Sequence, residues 1–281
     1  MKKTTILLLL LTLVAVAAGT VTVLATPKYQ ATAARPTPGP LLVIVTTPSP
    51  TPTPTPAPTP VPTPPPTVVA TPNGQVTIAM PVYKQVMALD CETAALQMGL
   101  AALGHTYSQQ TLFAPQSPDT RSPVLDPNNR KRVLQWGNPY TNFVGNVNGS
   151  DLGPTGYGVY YPLILSIAQT HGAPSSTGGE GVTAAQVYTA LKNGHPVLVW
   201  VETGWENARA AGYTGVWTSW PDTGSRRINY SLIEHVVTLS GVSATQVRVN
   251  DPWKSGSQYW FSKAAFEGSW TDFNNMAVIL Q

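Results

Sequence analysis

The sequence predicts an α+β fold confined to its C-terminal part, and two observations lead there. Helical apolar periodicity comes early, at 91–103, 160–172 and 183–194, while antiparallel strand-like runs such as "HPVLVWVET", "EHVVTLSG" and "TQVRVND" come late. Everything before Gly74 shows neither period; more than half of the prolines lie there, and none of the acidic residues does. The remaining ~200 residues are enough to bury about 70% of their unfolded surface in one core without crosslinks.

At the start of the chain, Lys2 and Lys3 precede an uncharged, mostly apolar run from Thr4 to Ala25. A basic start, an apolar middle and small residues such as Ala15-Val16-Ala17 describe a signal peptide. A run of about 20 residues also suffices as an uncleaved membrane anchor. Residues 1–25 are therefore expected to be a signal peptide or N-terminal anchor, with the rest sent across the membrane to the cell surface or beyond. In residues 26–73, alternating Pro and Thr removes backbone donors and offers no apolar face. An extended linker rising about 3.1 Å per residue is expected there. The folded domain is assigned to 74–281.

The formal net charge of +3 misleads about that domain. Four of the 16 basic residues (Lys2, Lys3, Lys28, Arg35) precede it, leaving 12 against 13 acidic residues. A near-neutral domain argues against a nucleic-acid partner.

Within 74–281, "QVTIAMPVY" reads as a strand. A helix follows from Cys91 to Leu103, with Ala95, Met98 and Ala102 on one side, Asp90 at the N-cap and Gly104 as its stop. Residues 115–157 are rich in Asn, Gly, Pro and Asp without a period, so long loops are expected. "YYPLILSIAQTHG" suggests a buried helix. Thr183 and Gln186 form a capping box for the next helix, which Gly194 ends. "HPVLVWVET" reads as an apolar central strand. A long loop from Gly204 to Ser231 then carries Trp205, Trp217 and Trp220. The strand pair "EHVVTLSG" and "TQVRVND", a capped helix in "SKAAFEGSW" and a final strand in "NMAVILQ" complete the order.

Cys91 is the single cysteine of an exported chain, so it cannot be an intrachain crosslink. Its place at a helix start, where unpaired N–H groups and the dipole favour an anion, suggests an activated thiol. Asp90 and Glu92 oppose that charge. Of the four histidines, His105, His171 and His195 sit at helix ends and read as caps or surface residues. His235 differs. A turn centred on Ser243 sets it directly opposite Asp251, close enough for the carboxylate to orient the imidazole. A one-residue slip would present Asn250 instead. Gln85, six residues before Cys91, could donate to an oxyanion together with the Cys91 backbone N–H.

The combination of Gln85, Cys91 at a helix start, the distant "HVVTLSG" and then "VNDPW" resembles the papain-like cysteine peptidases. The "DCETAALQM" and "EHVVTLSGV…VRVNDPW" segments are most similar to the bacteriocin-processing (double-glycine) peptidase-like branch, over about 75–281. That resemblance implies a papain-like fold, with a helix carrying the cysteine packed on an antiparallel sheet. It also implies Cys91 as nucleophile, His235 as base, Asp251 as the residue orienting it and Gln85 at the oxyanion site. Glu92 stands where members of the family often carry Gly. The sequence shows no transporter or ATP-binding segment, so leader-peptide substrates do not carry over.

The expected function is an extracytoplasmic thiol hydrolase cleaving peptide or isopeptide bonds of a peptide or protein substrate through a thioester. A transglutaminase-like transfer would use the same residues. The alternative is a non-catalytic cell-surface binding module with the three tryptophans as its contact surface, although simple loop packing explains them better. One Cys and scattered His lack metal-ligand spacing, so neither metal nor other cofactor is expected.

Overall fold

A computed structural model describes residues 66–72 and 74–281; the expected leader, and the linker as far as residue 65, lie outside the described residues. In chain order the elements begin with strands β1 (Val68–Ala70) and β2 (Val76–Ile78) and helices α1 (Cys91–Ala102) and α2 (Gln109–Phe113). Strands β3 (Val124–Asp126) and β4 (Asn129–Trp136), helix α3 (Tyr161–Thr170) and strand β5 (Thr177–Gly179) follow. Helix α4 (Ala184–Lys192) leads into strands β6 (Val197–Glu202), β7 (Thr214–Ser219) and β8 (Arg227–Ser231). The chain ends with β9 (Glu234–Val242), β10 (Gln246–Asp251), β11 (Ser257–Ser262), helix α5 (Lys263–Thr271) and β12 (Ala277–Ile279).

The α+β class holds, and α1 carries Cys91 at its first position. The larger sheet has eight strands, all paired antiparallel, with the order β1-β2-β9-β6-β12-β5 and the β10–β11 pair attached to β9. Its centre is β6, whose six residues are all buried, as its continuous apolar run requires. Along β6, Leu198 and Trp200 join one hydrophobic core while Val197, Val199 and Val201 join another. Alternation on a sheet covered on both faces produces this split. α1 and α3 belong to the first core; α4 and α5, through Val187, Leu191, Phe266 and Trp270, belong to the second.

Two stretches expected to be loops contain strands. β3 and β4, inside 115–157, and β7 and β8, inside 204–231, form a separate four-stranded sheet ordered β3-β4-β7-β8. β4 hides from simple pattern reading because its first four residues, Asn129 to Arg132, are exposed and polar at the sheet's rim. The pairing of β4 with β7 is parallel, so no hairpin turn announces it. β7 and β8 do carry a signal, the turn residues of "PDTG" between aromatic and β-branched runs. Val68–Ala70, within the segment assigned to the linker, pairs with β2 at the sheet's edge.

The capping box at Thr183 and Gln186 forms as its spacing requires. Asp90 occupies the N-cap position of α1 without a side-chain capping bond, and so does Ser262 before α5. Gly194 has φ +84°, a value that suits glycine where α4 turns back toward β6. Among the described residues, no helix is long and apolar enough to cross a membrane.

The β9–β10 hairpin differs from the expected register. Val247 pairs with Val242 and Arg248 with Gly241, but Val249 pairs with Leu239 and Asn250 with Thr238, leaving Ser240 as an extra residue. The bulge is held by hydrogen bonds: the Ser240 hydroxyl donates to Asn250 Oδ1 at 2.6 Å and accepts from Arg248 Nε at 3.0 Å. Continued one step, this register sets Asp251 beside Val237, two residues from His235. The expected cross-strand pairing of His235 with Asp251 is therefore not formed, but a shift of two preserves the face and leaves the two side chains within reach of each other.

Candidate active site

His235 is the second residue of β9, with Val237 and Leu239 on its face of the sheet. Its Nε2 lies 2.8 Å from Asp251 Oδ1, at the end of β10. Asp251 is tightly tied. Oδ1 also accepts the Trp253 N–H at 2.9 Å, and Oδ2 accepts the Tyr259 hydroxyl at 2.9 Å. Burial alone would raise its pKa; the hydrogen bond and charge of the imidazole, with these two donors, outweigh it and hold the carboxyl below its ordinary value. Trp205 Nε1 donates in turn to Tyr259 Oη at 2.9 Å, and the indole stacks on Phe261 with ring centroids 4.2 Å apart. Asn250 faces elsewhere, donating to Pro81 O and accepting from Ser240 and Gln258. Its alternative role at the imidazole is not taken up in this arrangement.

Cys91 begins α1, where the N–H groups of the first turn have no intrahelical acceptor. α1 lies on the sheet face opposite Val237 and Leu239, as the bond from Thr238 Oγ1 to Ala95 O at 2.7 Å shows. Cys91 and His235 both line a cavity of about 270 Å³ that Gln85, Asp151 and Glu234 also line. Among the described residues, the thiol's side-chain hydrogen-bond partner is Glu92 Oε2, at 3.5 Å, rather than the imidazole. Gln85 Nε2 donates to Met87 O and Ala88 O, at 3.2 and 2.7 Å, and its Oε1 is buried without a partner. Donating to an oxyanion therefore requires Gln85 to exchange one of these bonds.

The thiol's surroundings are acidic. Glu92 Oε1 accepts the Val159 N–H at 2.6 Å, and the Glu234 carboxyl comes in from β9. Gly158 lies between them: a Cβ there would fall 2.3 Å from Glu92 Oε1 and 3.0 Å from Glu234 Oε2, so only glycine allows this close approach. Burial, then the charges of Glu92 and Glu234, push the Cys91 thiol pKa up, against the Val236 backbone N–H. The lowered thiol pKa expected from a helix start is thus overridden in this resting arrangement. Burial raises Glu92 to about 8 and Glu234 well above its ordinary value. Asp90, fully buried and incompletely hydrogen-bonded, rises to about 7 through burial that Thr93 only partly offsets.

Cys91, Glu92 and Glu234 bring three ligand-type atoms within 4.8 Å of one another. A cation there would have to displace protons that burial holds in place. Sequence reasoning missed Glu234, Tyr259 and Asp151. Glu234 could have been suspected, because a carboxyl at the head of an otherwise apolar strand run is unusual.

Of the three tryptophans read as a contact surface or as packing, Trp217 is fully buried and donates to Gly137 O at 2.9 Å. Trp205 braces Tyr259 as described, and Trp220 is half-buried beneath the Arg121 guanidinium, 5.3 Å from the ring centroid. Packing accounts for them. A groove of about 460 Å³ lies beside α4, lined by Gln186, Thr189, His195 and Gln281.

A cysteine at a helix start and a histidine–aspartate pair on an antiparallel sheet, sharing one cavity, are the parts of a cysteine peptidase. Residues 77–278 match the Peptidase_C39 like family, and the chain belongs to that family. Among solved structures, a Bacillus anthracis protein assigned to the C39-like peptidases is similar at a TM-score of 0.58 and 22% identity, covering 72% of this chain and 94% of its own. A double-glycine motif protease from an AMS/PCAT transporter, solved with its leader peptide, aligns at a TM-score of 0.37 and 14% identity, covering 76% and 99%. No curated protein matches the chain.

Proposed function

We propose that the chain is an extracytoplasmic cysteine peptidase that cleaves peptide or isopeptide bonds, with Cys91, His235 and Asp251 as its triad. The observation that carries this reading is the 2.8 Å contact of Asp251 with His235, which lines the same cavity as Cys91. The location rests on the leader sequence, as a cleaved signal or an anchor, with the Pro/Thr tract as spacer.

On this reading the Cys91 side chain leaves Glu92 and turns toward the imidazole when substrate enters. His235 takes the thiol proton as sulfur attacks the carbonyl carbon. Asp251, held by Trp253 N–H and Tyr259, stabilises the imidazolium that forms. The Cys91 N–H, with Gln85 once it exchanges a backbone partner, steadies the oxyanion. The imidazolium then protonates the leaving amine, and a thioester remains. Water, deprotonated by the imidazole, releases the acid and restores the thiol.

The test is turnover of a mixed peptide library by the wild-type chain, Cys91→Ala and Asp251→Asn. Cys91→Ala should abolish cleavage and Asp251→Asn should lower kcat by about 100-fold or more, with folding unchanged by circular dichroism. Cleavage that survives Cys91→Ala overturns the assignment.

A further inference from the structure

The cavity holding Cys91 and His235 is lined by three acidic side chains, Asp151, Glu206 and Glu234, and by no lysine or arginine. Its buried unpartnered atoms are acceptors as well. Glu234 is 6% exposed, its Oε1 meets no donor, and Gln85 Oε1 is likewise unpaired. Unsatisfied buried acceptors are costly, and a ligand bearing several N–H donors would satisfy them. The acids also come from separate parts of the chain. Asp151 lies on the loop before α3, Glu206 follows β6 and Glu234 opens β9. Convergence from three segments makes this a property of the cavity rather than a run of charge along one element.

Two lysines are close by but stay at the rim. Lys254 lies 4.1 Å from the centroid of Trp253 and Lys131 lies 4.6 Å from that of Tyr213, each on the ring of a lining residue without itself joining the lining. Among the described residues, the only basic side chain lining the cavity is His235, which Asp251 already partners.

We infer that this cavity selects substrates carrying a protonated amine or guanidinium beside the scissile bond. A lysine or arginine side chain would place its donors on Glu206, Asp151 and the unpaired oxygen of Glu234. An acidic side chain would find no donor on the Glu234 oxygen and would be repelled by the Glu206 and Asp151 carboxylates. This specificity rests on the proposed peptidase reading for its biological use, but the binding preference stands or falls by itself.

The experiment separates the two. N-acetylated, C-amidated pentapeptides of the form Gly-Gly-X-Gly-Gly, with X as Lys, Arg, Leu or Glu, are titrated against the full-length Cys91→Ala chain by calorimetry. The Lys and Arg peptides should bind about tenfold more tightly than the Leu peptide, and Glu more weakly still, with the spread shrinking at high salt. In Asp151→Asn/Glu206→Gln on the Cys91→Ala background, the Lys-to-Leu ratio should collapse toward one while the thermal midpoint reports an intact fold. A Gly peptide with a free α-amine tells whether the cation can come from an N terminus. Equal affinity for Lys and Leu, failure of all four peptides to bind, or a preference for Glu overturns the inference. Turnover of the same peptides by wild type is read separately: tight Lys binding without cleavage counts against the peptidase reading and leaves the cation preference standing.

Discussion

At Cys91 two influences of opposite sign act on one sulfur. The helix start favours a thiolate, while burial and then two carboxyls favour the thiol, and burial with the carboxyls prevails in the resting arrangement. Glu92→Gln keeps an oxygen for the Val159 N–H and removes the charge that Glu92 carries once the pH exceeds its value of about 8. Alkylation of Cys91 by iodoacetamide above about pH 8 should then quicken by about tenfold, the effect of one pKa unit on the thiolate fraction. An unchanged rate across a pH series would show that Glu92 does not govern the thiol. From the sequence, Cys91, His235, Asp251 and Gln85 could all be named as lining or supporting one site. The role of Glu92 could be read only as an opposing charge, because its bond to Val159 depends on a contact between residues 67 positions apart. Tyr259 and Trp205 were out of reach for the same reason: their link to Asp251 runs through the β10–β11 pairing and the segment after β6.

Elements with a local cause were the most legible. α1 begins and ends within a residue of its expected span, and α4 follows its capping box. Thr183 is exposed, so Thr183→Ala removes the cap with little effect on packing. The substitution should lower unfolding stability by about 1 kcal/mol in urea melts, with peptidase activity retained. A loss well beyond ~2 kcal/mol would mean that Thr183 does more than cap. The second sheet was illegible where its pairing is parallel and its edge polar, because neither leaves a period in a single strand. In the β9–β10 hairpin the partner strands were legible and the bulge was not. A bulge changes which residues face each other without changing the apolar pattern of either strand.

Across the whole molecule, the buried carboxyls make stability depend on pH in an unusual direction. Asp90 rises from 3.8 to about 7, and Glu92 and Glu202 rise from 4.5 to about 8, all chiefly through burial. The folded state therefore binds these protons more tightly than the unfolded chain does. Their protonated forms impose no penalty below about pH 4, and the penalty grows as pH rises through the folded values. Asp251, shifted downward, works the other way, but only below its ordinary range. The thermal midpoint should fall by several degrees between about pH 5 and pH 8. A midpoint that climbs over that interval would mean that these carboxyls ionise freely in the folded protein.

The extra residue at Ser240 has a consequence for how the hairpin tolerates change. Before the bulge, the two strands are aligned so that Asn250, not Asp251, would continue on the histidine's side of the sheet. After it, the carboxylate takes that side and the amide turns away to fasten the irregularity itself. Smoothing the strand would swap an anion for a neutral group at the imidazole without altering a single codon near it. With Asn250 and Asp251 adjacent, this chain is thus one backbone kink away from changing the charge behind its imidazole.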